Sequence, residues 1–281
     1  MRLAFTSDLH VDHHPEVVDR IACAVRAARA DLLVIAGDIC ARLAAVEAAL
    51  ARLADAAPRV AFVPGNHDLW CDDEGPGDSR DRYLDLLPAL CARAGVACLS
   101  AGPLDAGPVT LVGQTGWYDY SLRDPAFEDT VPLAAYRGKR FGRLAWSDPH
   151  FIRWPGLDDE GLTAWMTARL ARDLAAAPRA KPVVVVTHML PFEELAVRGP
   201  LPWGFVRGFL GAASLGAAIR AAAADGVAVT RVIAGHTHFA RRAAVDGIPC
   251  ETSPIGYPRE YARAGDLSAR VADRVRVVEV A

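Results

Sequence analysis

Five short motifs place side chains that commonly bind metals directly after apolar runs. They are Asp-x-His at residues 8–10, Gly-Asp at 37–38, Gly-Asn-His-Asp at 65–68, a single His188, and Gly-His-x-His at 235–238. Carboxylate, amide and imidazole groups without thiolate suit divalent ions such as Mn, Fe or Zn. Together the motifs offer more donors than one ion can use, so they predict a site for two divalent metal ions.

The motifs differ in how specifically each one, taken alone, indicates a metal site. Asp-x-His occurs by chance, and Gly-Asp after a strand is often only a turn. Gly-Asn-His-Asp is stronger because four polar, turn-prone residues directly follow an apolar run. In Gly-His-x-His, strand geometry projects His236 and His238 to the same side. The ordered set as a whole disfavours the alternative of unrelated turn residues.

Alternating strands and helices would bring these distant motifs together. Apolar runs predict buried strands, and apolar residues spaced three and four apart predict helices between them. The predicted strands are 3–6, 32–36, 60–63, 96–99, 109–113, 183–186, 229–234, a hairpin of 241–245 and 248–252, and 274–280; the predicted helices are 15–28, 43–53, 83–94, 162–174 and 215–224. Such alternation implies an α/β fold with a largely parallel sheet. Ligand sites collect at the carboxyl ends of such strands.

Residues 117–158 break this regularity and are rich in aromatic residues, proline and glycine. A structureless loop of that length is uncommon, and the aromatic residues argue against disorder, so we expect an ordered insertion or cap. The metal-binding motifs run from residue 8 to residue 238 and must converge, which predicts a single domain over residues 1–281.

Four residues are candidates for substrate contact. Trp117 and Tyr118 begin the insertion just after a predicted strand, with plain packing as an equal alternative. His150 lies within the insertion. Arg259 follows the last hairpin and could bind a phosphate, although an ion pair with Glu260 would explain it as well.

Composition limits the classes of protein that remain. The chain has 281 residues, and its formal net charge of −3 argues against a dedicated DNA-coating protein. Its six cysteines form no CxxC pair, as expected for free thiols in a reducing compartment. No apolar run approaches the roughly 20 residues of a membrane span. The first residues lack the pattern of a signal peptide. We therefore expect a cytoplasmic protein with no membrane partner.

The five motifs, in this order, resemble the signature of the calcineurin-like metallophosphoesterase superfamily, including a bacterial branch of poorly defined substrate. The resemblance covers residues 8–238. It implies two packed mixed β-sheets flanked by helices, in a four-layer αββα arrangement. It also implies two sets of metal ligands that share one bridging residue. These are Asp8, His10 and His238 for one ion, Asn66, His188 and His236 for the other, and Asp38 between them.

The expected reaction is hydrolysis of a small phosphate monoester or diester. Two close cations activate a bridging hydroxide, which attacks the phosphoryl group. The leaving alkoxide then needs a proton. His67 lies beside Asn66 without being needed as a ligand, so we expect it to be the general acid. We expect Asp68 to hold the ring of His67 and to raise its pKa.

Two other functions are weighed against this one. A short basic cluster beside Phe141, made of Arg137, Lys139, Arg140 and Arg143, is compatible with a nuclease or phosphodiesterase acting on single-stranded nucleic acid. The near-neutral charge balance makes long nucleic acid the less favoured partner. A non-catalytic scaffold would be expected to lose ligands, whereas here every expected position is filled. A structural zinc site would be expected to use cysteine.

Overall fold

Strands and helices alternate through most of the chain. The computed structural model describes residues 1–71, 77–263 and 265–280. Its strands are β1 (Arg2–Thr6), β2 (Leu32–Ile35), β3 (Arg59–Phe62), β4 (Ala97–Cys98), β5 (Leu104–Asp105), β6 (Thr110–Gln114), β7 (Arg140–Phe141), β8 (Leu144–Ala145), β9 (Val183–Thr187), β10 (Val229–Ala234), β11 (Arg241–Val245), β12 (Ile248–Thr252) and β13 (Arg276–Glu279). Its α-helices are α1 (Val17–Ala27), α2 (Leu43–Leu53), α3 (Asn66–Leu69), α4 (Ser79–Asp81), α5 (Leu87–Ala94), α6 (Leu133–Arg137), α7 (Asp159–Ala175), α8 (Trp203–Val206), α9 (Ala213–Ala224), α10 (Pro258–Tyr261) and α11 (Leu267–Arg274).

Two mixed sheets form the centre of the molecule. One has the strand order β13-β1-β2-β3-β4 and the other the order β11-β12-β10-β9-β6-β5. In each sheet the central strands are parallel. The edge strands β13, β11 and β5 pair antiparallel with their neighbours. The expected fold class is thus confirmed, with antiparallel edges added to the parallel sheet that alternation alone predicts.

Alternate residues of the central strands pack between the two sheets. Leu3 and Phe5 of β1 and Val34 of β2 are fully buried together with Val184 and Val186 of β9. The intervening residues face the helices, so these strands are buried on both faces. Burial on both faces explains why they read as continuous apolar runs in the sequence.

The helices cover the outer faces of the sheets. In α1, for example, Val17, Ile21 and Val25 are fully buried, and each such side chain stabilises the fold by about 1.5–3 kcal/mol. The predicted helix over 83–94 begins with one π-helical turn, Arg82–Leu86, before α5. The predicted strand over 96–99 is only the two residues of β4. No helix in the described ranges is both long and apolar enough to cross a membrane.

The segment 117–158 is ordered, as its aromatic residues predict. It contains α6, the small hairpin β7–β8 and short 3-10 turns at Pro125–Phe127 and Asp148–His150. Its aromatic rings pack on the segment that follows β9: the Trp146 ring stacks on Phe209 with centroids 4.9 Å apart. Tyr136 and Phe205 stack at 5.3 Å. This insertion therefore lies beside the edge where the motifs meet.

Candidate active site

The five motifs meet where strands of both sheets end. β1, β2 and β3 lead into the first three motifs, and β9 and β10 lead into the last two. Main-chain hydrogen bonds join the connecting loops: Asp8 N donates to the Gly37 carbonyl at 2.9 Å, and Gly235 N donates to the His188 carbonyl at 3.0 Å. The carboxyl ends of strands from two sheets thus form one site.

The seven predicted ligands lie together in two groups that share Asp38. In the first group the ligand atoms of Asp8, His10, Asp38 and His238 lie within 4.8 Å of one another, and in the second those of Asp38, His188 and His236 do so. Asn66 joins the second group, because its Oδ1 is 3.0 Å from His188 Nε2. A carboxylate common to two donor groups is the arrangement that two neighbouring cations require.

Hydrogen bonds at the far side of three of the four histidine rings leave one nitrogen of each ring free to face a cation. His188 Nδ1 donates to the Ala36 carbonyl at 2.8 Å, and His238 Nδ1 donates to Glu260 at 3.0 Å. His236 Nε2 donates to the Phe209 carbonyl at 3.2 Å. Proteins commonly orient metal-binding histidines in this way.

The free nitrogens come too close together to be explained by packing alone. His10 Nε2 lies 3.0 Å from His238 Nε2, and His238 Nε2 lies 3.5 Å from Asp8 Oδ1. Two imidazole lone pairs at this distance repel unless a cation or a proton lies between them. The donor set of the described residues therefore fits divalent cations.

Burial and charges in the site keep His10 and His236 neutral, whereas His188 and His238 carry protons that a cation has to displace. Burial lowers the pKa of His10 well below its usual range and lowers the pKa of His236 to about 3, so both rings are neutral. Burial would lower the pKa of His188 too, but the charge of Asp38 raises it to about 9. In His238, burial lowers the pKa, but the hydrogen bonds and charges of Asp8 and Glu260 outweigh it and raise the pKa to about 10. A cation must displace these protons, because a metal ligand is the neutral ring.

Five of the seven predicted ligands have left-handed backbones, a conformation that costs about 1–3 kcal/mol for residues other than glycine. The φ angles are 55° for Asp8, 44° for His10, 58° for Asp38, 68° for His236 and 54° for His238. All five residues lie in the loops that follow the carboxyl ends of β1, β2 and β10. Such a cost is retained where surrounding structure and function require it.

The motif glycines allow close approach between the loops. A Cβ on Gly65 would lie 2.6 Å from Asp38 N and would overlap Asp38 Oδ1. A Cβ on Gly37 would lie 2.7 Å from His188 Cγ, and one on Gly235 would lie 2.9 Å from His188 Nδ1. Real Cβ atoms essentially never come within 3.0 Å of another residue's atoms, so these positions accept only glycine without a shift of the ligands.

His67 lies at the wall of the site. Its ring stacks on Trp70 with centroids 3.7 Å apart, and its Nε2 is 4.0 Å from Asp38 Oδ2 with the side chain 19% exposed. Its main-chain N–H donates to Asp38 Oδ1 at 2.9 Å. The imidazole is thus close to the shared carboxylate and still accessible from the cavity.

The expected role of Asp68 needs correction. Its carboxylate does not hold the His67 ring. Oδ2 accepts from the main-chain N–H groups of Asp38 and Gly65, and Oδ1 accepts from those of Ile39 and Cys40, at 2.7–3.0 Å. The turn of α3 directs this side chain under the loop that carries Asp38, away from its sequence neighbour. Asp68 therefore holds the shared carboxylate in place.

A cavity of 670 Å³ opens over the donor groups. Its lining includes His67, Trp70, His236, His238 and Arg259. The Arg259 guanidinium carbon lies 4.9 Å from the centre of the Tyr257 ring. Among the described residues no ion pair joins Arg259 to Glu260, because Glu260 binds His238 instead.

The other three candidates for substrate contact lie elsewhere. Trp117 and Tyr118 are buried and line a neighbouring cavity of 610 Å³ within the insertion. His150 is exposed and belongs to the lining of neither cavity. In the basic cluster of the insertion, Arg137 pairs with Glu160 and Lys139 with Asp159. These two cations are therefore committed to internal pairs.

Sequence reasoning missed three residues that support the site. Trp70 stacks on His67, Glu260 orients His238, and Asp148 binds the side-chain amide of Asn66. Trp70 lies two residues after the Gly-Asn-His-Asp motif, so its position in the sequence could have indicated a place beside the site. Glu260 lies in the short helix α10 and Asp148 in a 3-10 turn, and neither position carried a local sequence signal for its contact.

Comparison with known proteins places this geometry in a family. The model for calcineurin-like phosphoesterase matches residues 1–240. The chain is 28% identical over 247 residues to the acyl-carrier-protein phosphodiesterase PptH of Mycobacterium tuberculosis, covering 83% of this chain and 71% of that relative.

Solved structures share the fold. A crystal structure of phosphopantetheinyl hydrolase (PptH) from Mycobacterium tuberculosis superposes with a TM-score of 0.74 at 23% identity, over 95% of this chain and 93% of that one. A dimetal phosphatase from Danio rerio superposes with a TM-score of 0.52 at 16% identity, over 90% and 86% of the two chains. The chain belongs to the calcineurin-like phosphoesterase family and is a metal-dependent phosphoric ester hydrolase.

Proposed function

We propose that this protein hydrolyses a phosphodiester with the help of two divalent metal ions. The observation that carries the proposal is the pair of donor groups sharing Asp38, with His67 beside them in an open cavity. One ion would be held by Asp8, His10 and His238 and the other by Asn66, His188 and His236, with Asp38 common to both. The oxygen and imidazole donors suit Mn, Fe or Zn, so these are the candidate metals.

The bound cations would neutralise the phosphoryl oxygens and activate water for in-line attack. The protein's own groups complete the reaction. The two buried carboxylates, Asp8 and Asp38, and the histidine rings would fix where the cations lie, and the cations would in turn position the phosphate. His67 Nε2 gives its proton to the departing oxygen, and stacking on Trp70 holds the ring for that transfer. Arg259 binds a further anionic oxygen from the cavity wall.

The cavity favours a diester over a monoester because it has room and chemistry for two substituents. One wall is apolar and is formed by Val197, Trp203, Val206, Leu210 and Phe239. The lining also includes polar residues, among them Arg259 and Tyr257. An extended, weakly polar arm on one side of the phosphate would lie along the apolar wall. The relative named acyl-carrier-protein phosphodiesterase supports a phosphopantetheinyl group on a carrier protein as that substrate.

Single-stranded nucleic acid fits less well. A nuclease needs a cationic groove that follows the phosphate backbone, whereas two of the four cations in the basic cluster, Arg137 and Lys139, form ion pairs with acidic neighbours. Three arginines line the active-site cavity: Arg274 pairs with Asp273, Arg270 donates to the Ile255 carbonyl, and Arg259 has no ion-pair partner among the described residues. This charge distribution favours one scissile phosphate over a polyanion.

The test compares three substrates after reconstitution with Mn²⁺. Bis-p-nitrophenyl phosphate should be cleaved faster than p-nitrophenyl phosphate. Phosphopantetheinylated acyl carrier protein should lose its prosthetic group, which mass spectrometry of the intact protein would detect. Cleavage of the monoester alone would refute the diester assignment. Cleavage of the small diester without the carrier protein would instead assign a small-molecule substrate.

The role of His67 is tested by the leaving group. His67→Ala should keep its metal content and should slow diesters with alkyl leaving groups about 10²–10⁴-fold, the usual contribution of a general acid. Aryl diesters with good leaving groups need little protonation and should be slowed much less. Equal losses on both classes would remove the general-acid role.

A further inference from the structure

We infer that Asp148, a buried carboxylate of the insertion, is a positioning residue that aims the Asn66 oxygen at the second donor group and steadies the platform under His67. This inference rests on the proposed dinuclear centre and goes beyond it. Asp148 is 1% exposed. It lies in the 3-10 turn Asp148–His150, far in sequence from every motif.

The side-chain amide of Asn66 has two possible orientations, and Asp148 selects one. Asn66 Nδ2 donates to Asp148 Oδ1 at 2.8 Å. The Asn66 Oδ1 therefore faces His188 Nε2 at 3.0 Å, inside the second donor group. In the flipped orientation an N–H group would face the site, and an N–H group cannot bind a cation.

The same carboxylate holds the ring beneath the general acid. Trp70 Nε1 donates to Asp148 Oδ1 at 2.7 Å. Trp70 in turn stacks on His67 at 3.7 Å, so the indole cannot tilt without breaking a buried hydrogen bond to a charged group. Asp148 thus positions both the metal ligand Asn66 and, through Trp70, the proton donor His67.

The second oxygen of Asp148 ties the insertion to this arrangement. Trp146 Nε1 donates to Asp148 Oδ2 at 2.8 Å. Trp146 also stacks on Phe209, whose carbonyl accepts from His236 Nε2 at 3.2 Å. The insertion is therefore joined to two ligands of the second group, Asn66 and His236.

Asp148→Asn is a nearly isosteric test of this role. A carboxylate accepts all three N–H groups, whereas an amide offers one oxygen and one NH₂. Whichever way the new amide turns, its NH₂ faces at least one N–H donor. With its oxygen toward Asn66 and Trp70, the new amide opposes Trp146 and accepts from Asn66 only as an uncharged group. Turned the other way, it opposes Asn66 and Trp70, and a flip of Asn66 relieves one of these clashes. Both arrangements weaken the hold on the Asn66 oxygen. Loss of such an outer partner typically costs about 10–100-fold in metal affinity.

Asp159→Asn is the matched control. Asp159 is another carboxylate of this region that accepts from several donors: Trp117 Nε1 at 2.9 Å, Lys139 Nζ at 2.5 Å, and the Tyr120 hydroxyl. None of these partners belongs to the donor groups. The same chemical change should therefore leave metal binding unaltered while loosening the insertion to a similar degree.

The experiment is calorimetric titration of the metal-free variants with Mn²⁺ alone. Asp148→Asn should weaken one of the two binding steps about 10–100-fold and change the other less than threefold, while Asp159→Asn should change neither. Equal affinities in Asp148→Asn and the parent protein would overturn the inference, as would equal losses in both variants. Because no substrate is used, this result is independent of whether the enzyme cleaves diesters.

Trp70→Phe keeps the inference testable if Asp148→Asn does not fold. It retains a ring under His67 but removes one donor to Asp148. Both metal affinities should stay within threefold, and the rate ratio between diesters with good and poor leaving groups should rise at least threefold. An unchanged ratio would overturn the role of Asp148 in steadying the His67 platform.

Discussion

Replacing Gly65 by alanine is a small change that should disable the metal centre. The added Cβ would lie 2.6 Å from Asp38 N and 2.8 Å from Asp38 Cγ, with its closest contact at Oδ1. Separations under 3.0 Å are essentially never observed for real Cβ atoms. The contacted atoms belong to main chain and to a short, buried side chain, so the loop carrying Asp38 has to move.

The required movement sets the size of the effect. The carboxylate must retreat by about 1 Å, and a misplacement of that size near a reaction centre costs about 10²-fold in rate. Overpacking of this kind destabilises a fold by about 1–3 kcal/mol, which leaves a protein of this length folded. Since Asp38 is common to both donor groups, affinity for both metal ions should fall together.

The assay combines metal analysis of the reconstituted variant with kcat/KM for a diester. Gly161→Ala is the matched control, because its Cβ would meet only side-chain atoms, at 3.1 Å or more. That change lies in α7, where alanine is favoured over glycine by about 1 kcal/mol. A Gly65→Ala protein with two bound ions and kcat/KM within twofold of the parent would refute the steric reasoning.

Three further predictions follow from the contacts around the site. Glu260→Gln, which weakens the acceptor of His238 Nδ1, should raise the Kd of one metal ion about tenfold by calorimetry and leave the other unchanged; a parallel change in both would contradict the assignment of Glu260 to a single group. Arg259→Ala should raise KM for a diester about tenfold with little change in kcat, since the guanidinium contributes binding from the cavity wall; an unchanged KM would exclude Arg259 from substrate contact. Burial lowers the pKa of His14 in the folded protein. The unfolded chain therefore binds a proton at His14 more readily than the folded protein does. The free energy of unfolding that this difference leaves intact above about pH 6.5 is lost as the pH falls below that value. Urea unfolding at pH 7.5 and 5.5 should show a smaller loss for His14→Gln than for the parent protein, and equal losses would exclude His14 as the cause.

The apolar strands and the polar residues that follow them are readable from sequence because both depend on local patterns. β1, β2, β9 and the second half of β10 are short runs of buried residues. The glycines that follow β2 and β10 mark loops packed without room for a side chain. A strand buried on both faces has few alternatives as a secondary structure. The convergence of the five motifs then follows from the topology of parallel strands.

Contacts made across the fold leave no such pattern. Asp148 reaches Asn66 across 82 positions, and Glu260 reaches His238 from a short helix after the last hairpin. Asp68 shows the opposite error, since adjacency in sequence suggested a contact with His67 that the turn of α3 prevents. The aromatic insertion was predictable as ordered, but which cavity Trp117 and Tyr118 line depends on its tertiary packing.

Anomalous diffraction from crystals soaked in Mn²⁺ would test the dinuclear centre most directly. Two peaks about 3.5–4 Å apart are expected, both within coordination distance of Asp38. One should contact Asp8, His10 and His238, and the other Asn66, His188 and His236. A single peak, or two peaks of which only one contacts Asp38, would contradict the shared-carboxylate centre.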